Sequence, residues 1–171
     1  MSDRRSGPIE LHDHDPEWAA MFREQAVRIR DALGARASRI EHVGSTAVAD
    51  LIAKPVIDIV LEVPDSAEES AYVPELATLG YVMRIREPEW FEHRFFQGHR
   101  PQVNLHVFSA ECPETDRMLR FRDRLRTRPA DRDRYAEAKR ELAARDWAYV
   151  QQYAEAKTSV IEEILRDEST P

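Results

Sequence analysis

Asp58 stands in the middle of Val56-Ile57-Asp58-Ile59-Val60-Leu61, an otherwise apolar run that reads as a buried strand. A carboxylate in such a run is costly unless it is paired, hydrogen-bonded or holding a cation. It lies thirteen residues after Ser45, and Gly44-Ser45 interrupts the apolar run ending at Val43. Between the two, Thr46 to Ile52 predicts a short helix, capped by Ser45 or Thr46 and stopped by Lys54-Pro55. Asp58 therefore needs a partner, and a turn precedes it that can supply one side of a site.

Strand, Gly-Ser turn, short helix and Asp-bearing strand, in that order, resemble the front of the nucleotidyltransferase superfamily. The resemblance implies that the Gly44 backbone and the Ser45 hydroxyl hold a triphosphate, with Thr46 beside them, and that Asp58 holds a divalent metal. Physical chemistry agrees with it: glycine allows close backbone approach, and amides at a helix start attract anions. Mg²⁺ takes carboxylate and phosphate oxygens, so Mg²⁺ or Mn²⁺ is the expected cofactor. In that superfamily a partner carboxylate stands where this chain has Val60. Glu62 does not replace it, since two strand steps of about 6.6 Å put it roughly 13 Å from Asp58. His106 is a candidate ligand, because Asn104, His106 and Phe108 share a face of a later strand. Imidazole suits Mn²⁺ or Zn²⁺ better than Mg²⁺; the alternative is a core histidine satisfied by backbone.

Several other side chains are candidates for the same pocket. His42 precedes the Gly-Ser turn and either meets phosphate, orients Asp58 or Glu41, or packs. Lys54 either meets phosphate or pairs with Glu62 or Asp50. Glu92 and Arg94 share a strand face, as an ion pair or as substrate ligands, while His93 points away with Phe91 and Phe95. In the last helix Tyr153 and Lys157 are four apart and stack on one side, suited to closing a cleft against Asp58 and Ser45. Tyr135 and Lys139 repeat that spacing one helix earlier. Of 25 basic residues 22 are arginine, and Lys54, Lys139 and Lys157 are the three lysines. So strong an arginine habit suggests lysine is kept where a compact ammonium is wanted. Arg120, Arg122, Arg124 and Arg126 are distributed around their helix, most of them expected in solvent, with Arg122-Asp123 a pair.

The chain of 171 residues has a formal charge of −7, which excludes a general nucleic-acid binder. A lone cysteine, Cys112, excludes an internal disulfide and a cysteine-cluster metal site. No apolar run approaches membrane-spanning length and the start has no signal-peptide core, so a cytoplasmic protein is expected. Asp15-Pro16-Glu17 opens a helix with Trp18, Phe22, Val27, Ile29 and Leu33 on its apolar stripe, ending at Gly34. Ser38 to Val43 predicts the first central strand, and Pro64 begins a helix to about Leu79. Tyr81–Arg86, Trp90–Phe96 and Val103–Phe108 predict an antiparallel meander. From Pro113 the pattern is helical: Glu114–Arg126, Ala130–Arg145 and Trp147–Asp167. Residues 1–110 thus form an α/β core and 111–171 a helical subdomain packed on it.

The segments IELHDHDPEWAAMF, IEHVGSTAVADLIAKPVIDI, VNLHVF, LRFRDRLRTRP and YAEAKRELA resemble the GrpB family. The resemblance runs over nearly the whole chain. It implies a nucleotidyltransferase-like mixed β-sheet with flanking helices and a C-terminal helical bundle. A similar domain is fused to some dephospho-CoA kinases. The expected function is binding of a nucleotide or phosphorylated metabolite, with Asp58, Ser45 and Lys157 carrying any metal-dependent nucleotidyl transfer and Lys157 or Arg94 balancing charge. The rivals are a non-catalytic module for a partner such as a kinase, or unrelated small-metabolite chemistry in the same pocket.

Overall fold

The computed structural model describes residues 9–144 and 150–167, with the backbone alone over 150–154. Helix α1, Glu17–Leu33, begins where the Glu17 N–H donates to Asp15 Oδ1 at 2.9 Å, and ends at Gly34, whose φ of 58° favours glycine. It buries Trp18, Ala26, Ile29 and Leu33. Val27, expected on the buried stripe, is 56% exposed. Gln25 is buried instead, because its Oε1 accepts the Tyr81 hydroxyl at 2.7 Å. A polar residue with a partner has displaced an apolar one from the core.

The sheet has five strands in the order β1-β2-β5-β4-β3: β1 Arg39–Val43, β2 Ile57–Val63, β3 Val82–Glu87, β4 His93–Gly98 and β5 Val103–Ser109. β3, β4 and β5 form the expected antiparallel meander, and β5 then pairs parallel to β2. One face carries Ile57, Ile59, Leu61 and Val63 with Val103, Leu105, Val107 and Phe96, sealed by α1 and by α2, Val73–Thr78. The helix expected from Pro64 starts later because residues 64–72 run through turns and a short 3₁₀ segment, Glu69–Ala71, before Pro74 takes a first-turn place.

The expected helix over Thr46 to Ile52 is replaced by a single 3₁₀ turn, Ser45–Ala47, followed by extended Val48. Local propensity loses to packing here. Val48 and Leu51 are drawn into a second core with Leu125, Tyr135, Ala136 and Ile164 of the C-terminal helices. Those helices are α3 Pro113–Thr127, α4 Pro129–Ala143 and α5 Val150–Arg166. On α3, Arg120 and Arg126 are exposed as expected, whereas Arg122 and Arg124 are largely buried. Arg122 donates to Glu41 and to the His42 carbonyl, Arg124 to Asp131, and Arg126 to the Ala47 carbonyl, at 2.9–3.1 Å. Arg122 and Arg126 thereby tie the bundle to the turn that follows β1. Among the described residues no helix is long and apolar enough to cross a membrane.

Candidate functional site

Asp58 emerges from the sheet on the face opposite the α1 side, 29% exposed rather than sealed. Its neighbours follow from register. Val43 lies opposite on β1 and Asn104 beside it on β5, and His106 pairs with Val60. The position where a second carboxylate is missing on β2 thus has an imidazole on the adjacent strand. His106 Nε2 lies 3.8 Å from Asp58 Oδ1. Asn104 Oδ1 is shielded from solvent and, among the described residues, has no hydrogen-bond donor, an expensive condition for a buried acceptor.

The Gly-Ser turn touches this carboxylate directly. Gly44 adopts φ 75°, and a Cβ there would stand 2.5 Å from Asp58 Oδ2. Glycine is required both by backbone angle and by the space the carboxylate fills. Ser45, partly exposed, follows at the start of the turn, so its hydroxyl and the Asp58 carboxylate belong to one corner of the sheet.

Not every expected residue comes here. His42 is on the α1 face, stacked on Phe22 at 4.9 Å, with Nε2 2.9 Å from Thr46 Oγ1. The Thr46 hydroxyl in turn donates to the Val56 carbonyl at 3.1 Å, so it accepts from His42. Burial lowers the His42 pKa to about 4, against the pull of the Asp58 charge. His42 and Thr46 therefore brace the turn from behind. Arg94 is 3% exposed on the same closed face, held by Glu69 at 2.9 Å and Glu92 at 3.1 Å. Glu62 is taken by Arg39 and by the Cys112 N–H, so it is no partner for Lys54.

The three lysines do converge. Lys139, 2% exposed on α4, donates from Nζ to the Ile52 carbonyl at 2.7 Å. Burial lowers its pKa to about 7, with the Lys157 and Lys54 charges lowering it further and Asp58 opposing them. Burial likewise lowers Lys157, on α5, to about 8, with Asp58 raising it and Lys54 lowering it. Lys139 and Lys157 therefore each lie within electrostatic reach of Asp58 and of Lys54. Lys139 was visible as a repeat of the Tyr153–Lys157 spacing and through the scarcity of lysine. The Tyr153 side chain lies outside the described residues.

The groups on this face that could hold a cation are a carboxylate, an imidazole and an orphan amide oxygen. Among the described residues no group of three or more His, Cys, Asp or Glu side chains converges to hold an ion, so Asn104 is needed to complete the set. His93 and Glu87, not singled out by sequence, stand behind His106; the signal available was the alternation that puts His93 on the face of Phe95.

The profile of the GrpB protein family matches residues 8–167. The UPF0157 protein of Halalkalibacterium halodurans is 55% identical over 158 residues, covering 92% of this chain and 81% of that one. A dephospho-CoA kinase of Mycobacterium leprae is 29% identical over 191 residues, covering 92% of this chain but 46% of the kinase. Among solved structures, GrpB from Enterococcus faecalis superposes with a TM-score of 0.73 at 24% identity, covering 91% of this chain and 99% of that one. The Cid1 poly(U) polymerase superposes with a TM-score of 0.55 at 10% identity, covering 77% of this chain and 44% of the polymerase, a likeness of fold. The sheet is thus nucleotidyltransferase-like, and this chain belongs to the GrpB protein family.

Proposed function

We propose that this protein binds a nucleotide or another phosphorylated small metabolite on the open face of the sheet, with a divalent cation between Asp58 and His106. The observation that carries the reading is the contact of Gly44 with the Asp58 carboxylate, half-exposed and 3.8 Å from His106, within electrostatic reach of Lys139 and Lys157. Phosphate oxygens would lie against the Gly44-Ser45 turn, where the Ser45 hydroxyl donates, and would be met by Lys54 and Lys157, with the buried Lys139 charge adding its field. A lysine whose charge is opposed by burial and by other lysines gains most from an arriving anion. A bound Mg²⁺ or Mn²⁺ would neutralise charge on the transferring group.

If the site turns over, the reaction is nucleotidyl transfer from a nucleoside triphosphate to a small acceptor. The lysines would hold the phosphates, Ser45 would fix their register and Asp58 would hold the cation. The Cid1 poly(U) polymerase, a neighbour in fold with Mg 3′-dATP bound, supports a nucleotide as ligand. A second reading, a non-catalytic module, is favoured by the kinase that carries a similar segment within a longer chain, and by Val60 in place of a second carboxylate.

A thermal-shift screen of nucleoside triphosphates with Mg²⁺ and Mn²⁺, on wild type and Asp58→Asn, separates the two. A cation-dependent nucleotide shift lost in the variant supports ligand binding at this site. No shift with any nucleotide, together with tight association with a kinase, supports the module.

A further inference from the structure

Behind His106 runs a line of hydrogen-bonded side chains that phosphate binding does not use. Glu87, at the end of β3, places Oε1 2.9 Å from Nδ1 of His93. His93 Nε2 lies 3.1 Å from His106 Nδ1, and the rings are nearly parallel at 22°. Phe108 and Trp90 pack on His93 at 4.8 and 4.9 Å and hold it in place.

The protons along this line can be assigned. A neutral imidazole has one N–H and one lone pair, and an ionised carboxylate only accepts. A histidine that binds an ion through Nε2 carries its proton on Nδ1, and the atom facing His106 Nδ1 is His93 Nε2. Glu87 Oε1 only accepts, so His93 holds its own proton on Nδ1 and leaves Nε2 to accept. His106 must donate from Nδ1, which leaves the Nε2 lone pair facing Asp58 Oδ1 at 3.8 Å. Two acceptors then oppose each other beyond hydrogen-bond reach. An ion with bonds of about 2.1 Å to each spans such a gap. Asn104, beside Asp58 in register, adds the acceptor that lacks a donor.

We propose that Asp58, Asn104 and His106 form a site for a first-row transition-metal dication, Mn²⁺ or Zn²⁺ in preference to Mg²⁺, and that Glu87 and His93 are positioning residues that aim the His106 lone pair at the ion. The preference follows from the imidazole, since Mg²⁺ favours all-oxygen shells. The proposal rests on the reading of Asp58 and His106 as cation-holding and extends it to metal class, third ligand and outer shell.

The test is a Mn²⁺ titration of full-length, EDTA-stripped protein, followed by electron paramagnetic resonance of free Mn²⁺, with Zn²⁺ and Mg²⁺ as competitors. Wild type should bind one Mn²⁺, displaced by Zn²⁺ readily and by Mg²⁺ only at tenfold or greater excess, on the order expected from ligand type. Glu87→Ala should weaken Mn²⁺ by about 10- to 100-fold, the usual effect of losing an outer-shell partner. Asn104→Ala should weaken it while leaving the melting temperature equal or higher, since it removes an unsatisfied oxygen. Long-range proton–nitrogen spectra of metal-free protein should show His106 protonated at Nδ1 in wild type and mixed tautomers in Glu87→Ala. Tight Mn²⁺ binding indifferent to Glu87→Ala and Asn104→Ala, or Mg²⁺ competing equally, overturns this proposal and leaves the cation reading standing. No Mn²⁺ bound by wild type, or binding unchanged in Asp58→Asn, overturns both.

Discussion

On β2 and β5, Ile57, Ile59 and Leu61 with Val103, Leu105 and Val107 point to one face of the sheet, and Asp58 with Asn104 and His106 to the other. The first face is closed by α1 and α2, and its few polar residues are satisfied. His42 has Thr46, Arg94 has Glu69 and Glu92, and Gln25 of the covering helix has Tyr81. The second face leaves Asn104 Oδ1 without a donor and Asp58 and His106 too far apart to bond. Burial alone accounts for the partnered polar groups, because an unpaired one there would cost stability outright. It does not account for the unpartnered ones. The comparison teaches where to look for function on the sheet: not at the charges of the closed face, which are answered within the protein, but at the polar atoms left open to an outside partner.

Substitutions on the two faces should separate stability from binding. Leu105→Ala, on the closed face, should cost about 2–5 kcal/mol in denaturant unfolding. It should leave ligand-induced shifts in the surviving folded protein intact.

Acid should attack the closed face next. The His42 pKa falls from 6.5 to about 4 on folding, so the unfolded chain binds the extra proton between those values. Stability is full above pH 6.5 and declines as pH falls toward 4, by up to about 3 kcal/mol from this group. His93, lowered in the same direction by burial, adds to the loss. Unfolding curves at pH 7 and 4.5 measure it, and a flat profile would mean these rings are solvated.

Gly44→Ala joins the two faces. Its positive φ and the Cβ position 2.5 Å from Asp58 Oδ2 should cost about 1–3 kcal/mol and displace the carboxylate, so both melting temperature and ligand shift should fall. Asp58→Asn should change stability by less than about 1 kcal/mol while removing cation binding.

The lysines give the smallest and most specific effect. Lys139 and Lys157, near 7 and 8 without ligand, should take up protons when an anion arrives. Phosphate affinity should therefore weaken as pH rises from 7 to 9, by roughly tenfold per proton taken up and pH unit in that window. Calorimetry in buffers of different ionisation enthalpy reads the uptake. Affinity independent of pH would place the anion away from these lysines.

Much of this frame was legible from pattern. Period-two alternation placed Asp58 on the opposite face from Ile57 and Ile59, and Asn104 with His106. What alternation does not carry is which strands are neighbours. The parallel pairing of β5 with β2 is a long-range choice, and it sets His106 beside Val60 and Asn104 beside Asp58. The segment after Ser45 misled because its alanines and leucine favour helix, whereas Val48 and Leu51 are spent on the core of the helical bundle. His93 was placed on the correct face but given no role, because its partners Glu87 and His106 come from two other strands. For Lys139 the sequence carries two signals, the rarity of lysine in this chain and the four-residue spacing from Tyr135, and neither reports its burial.

The central claim, that the open face is an ion-holding site, is tested most directly by Mn²⁺ relaxation in amide-resolved NMR spectra. Paramagnetic broadening centred on residues 44–45, 58 and 104–106, and absent from Asp58→Asn, is the predicted result. Broadening confined to exposed acidic side chains elsewhere, or identical in the variant, would contradict it.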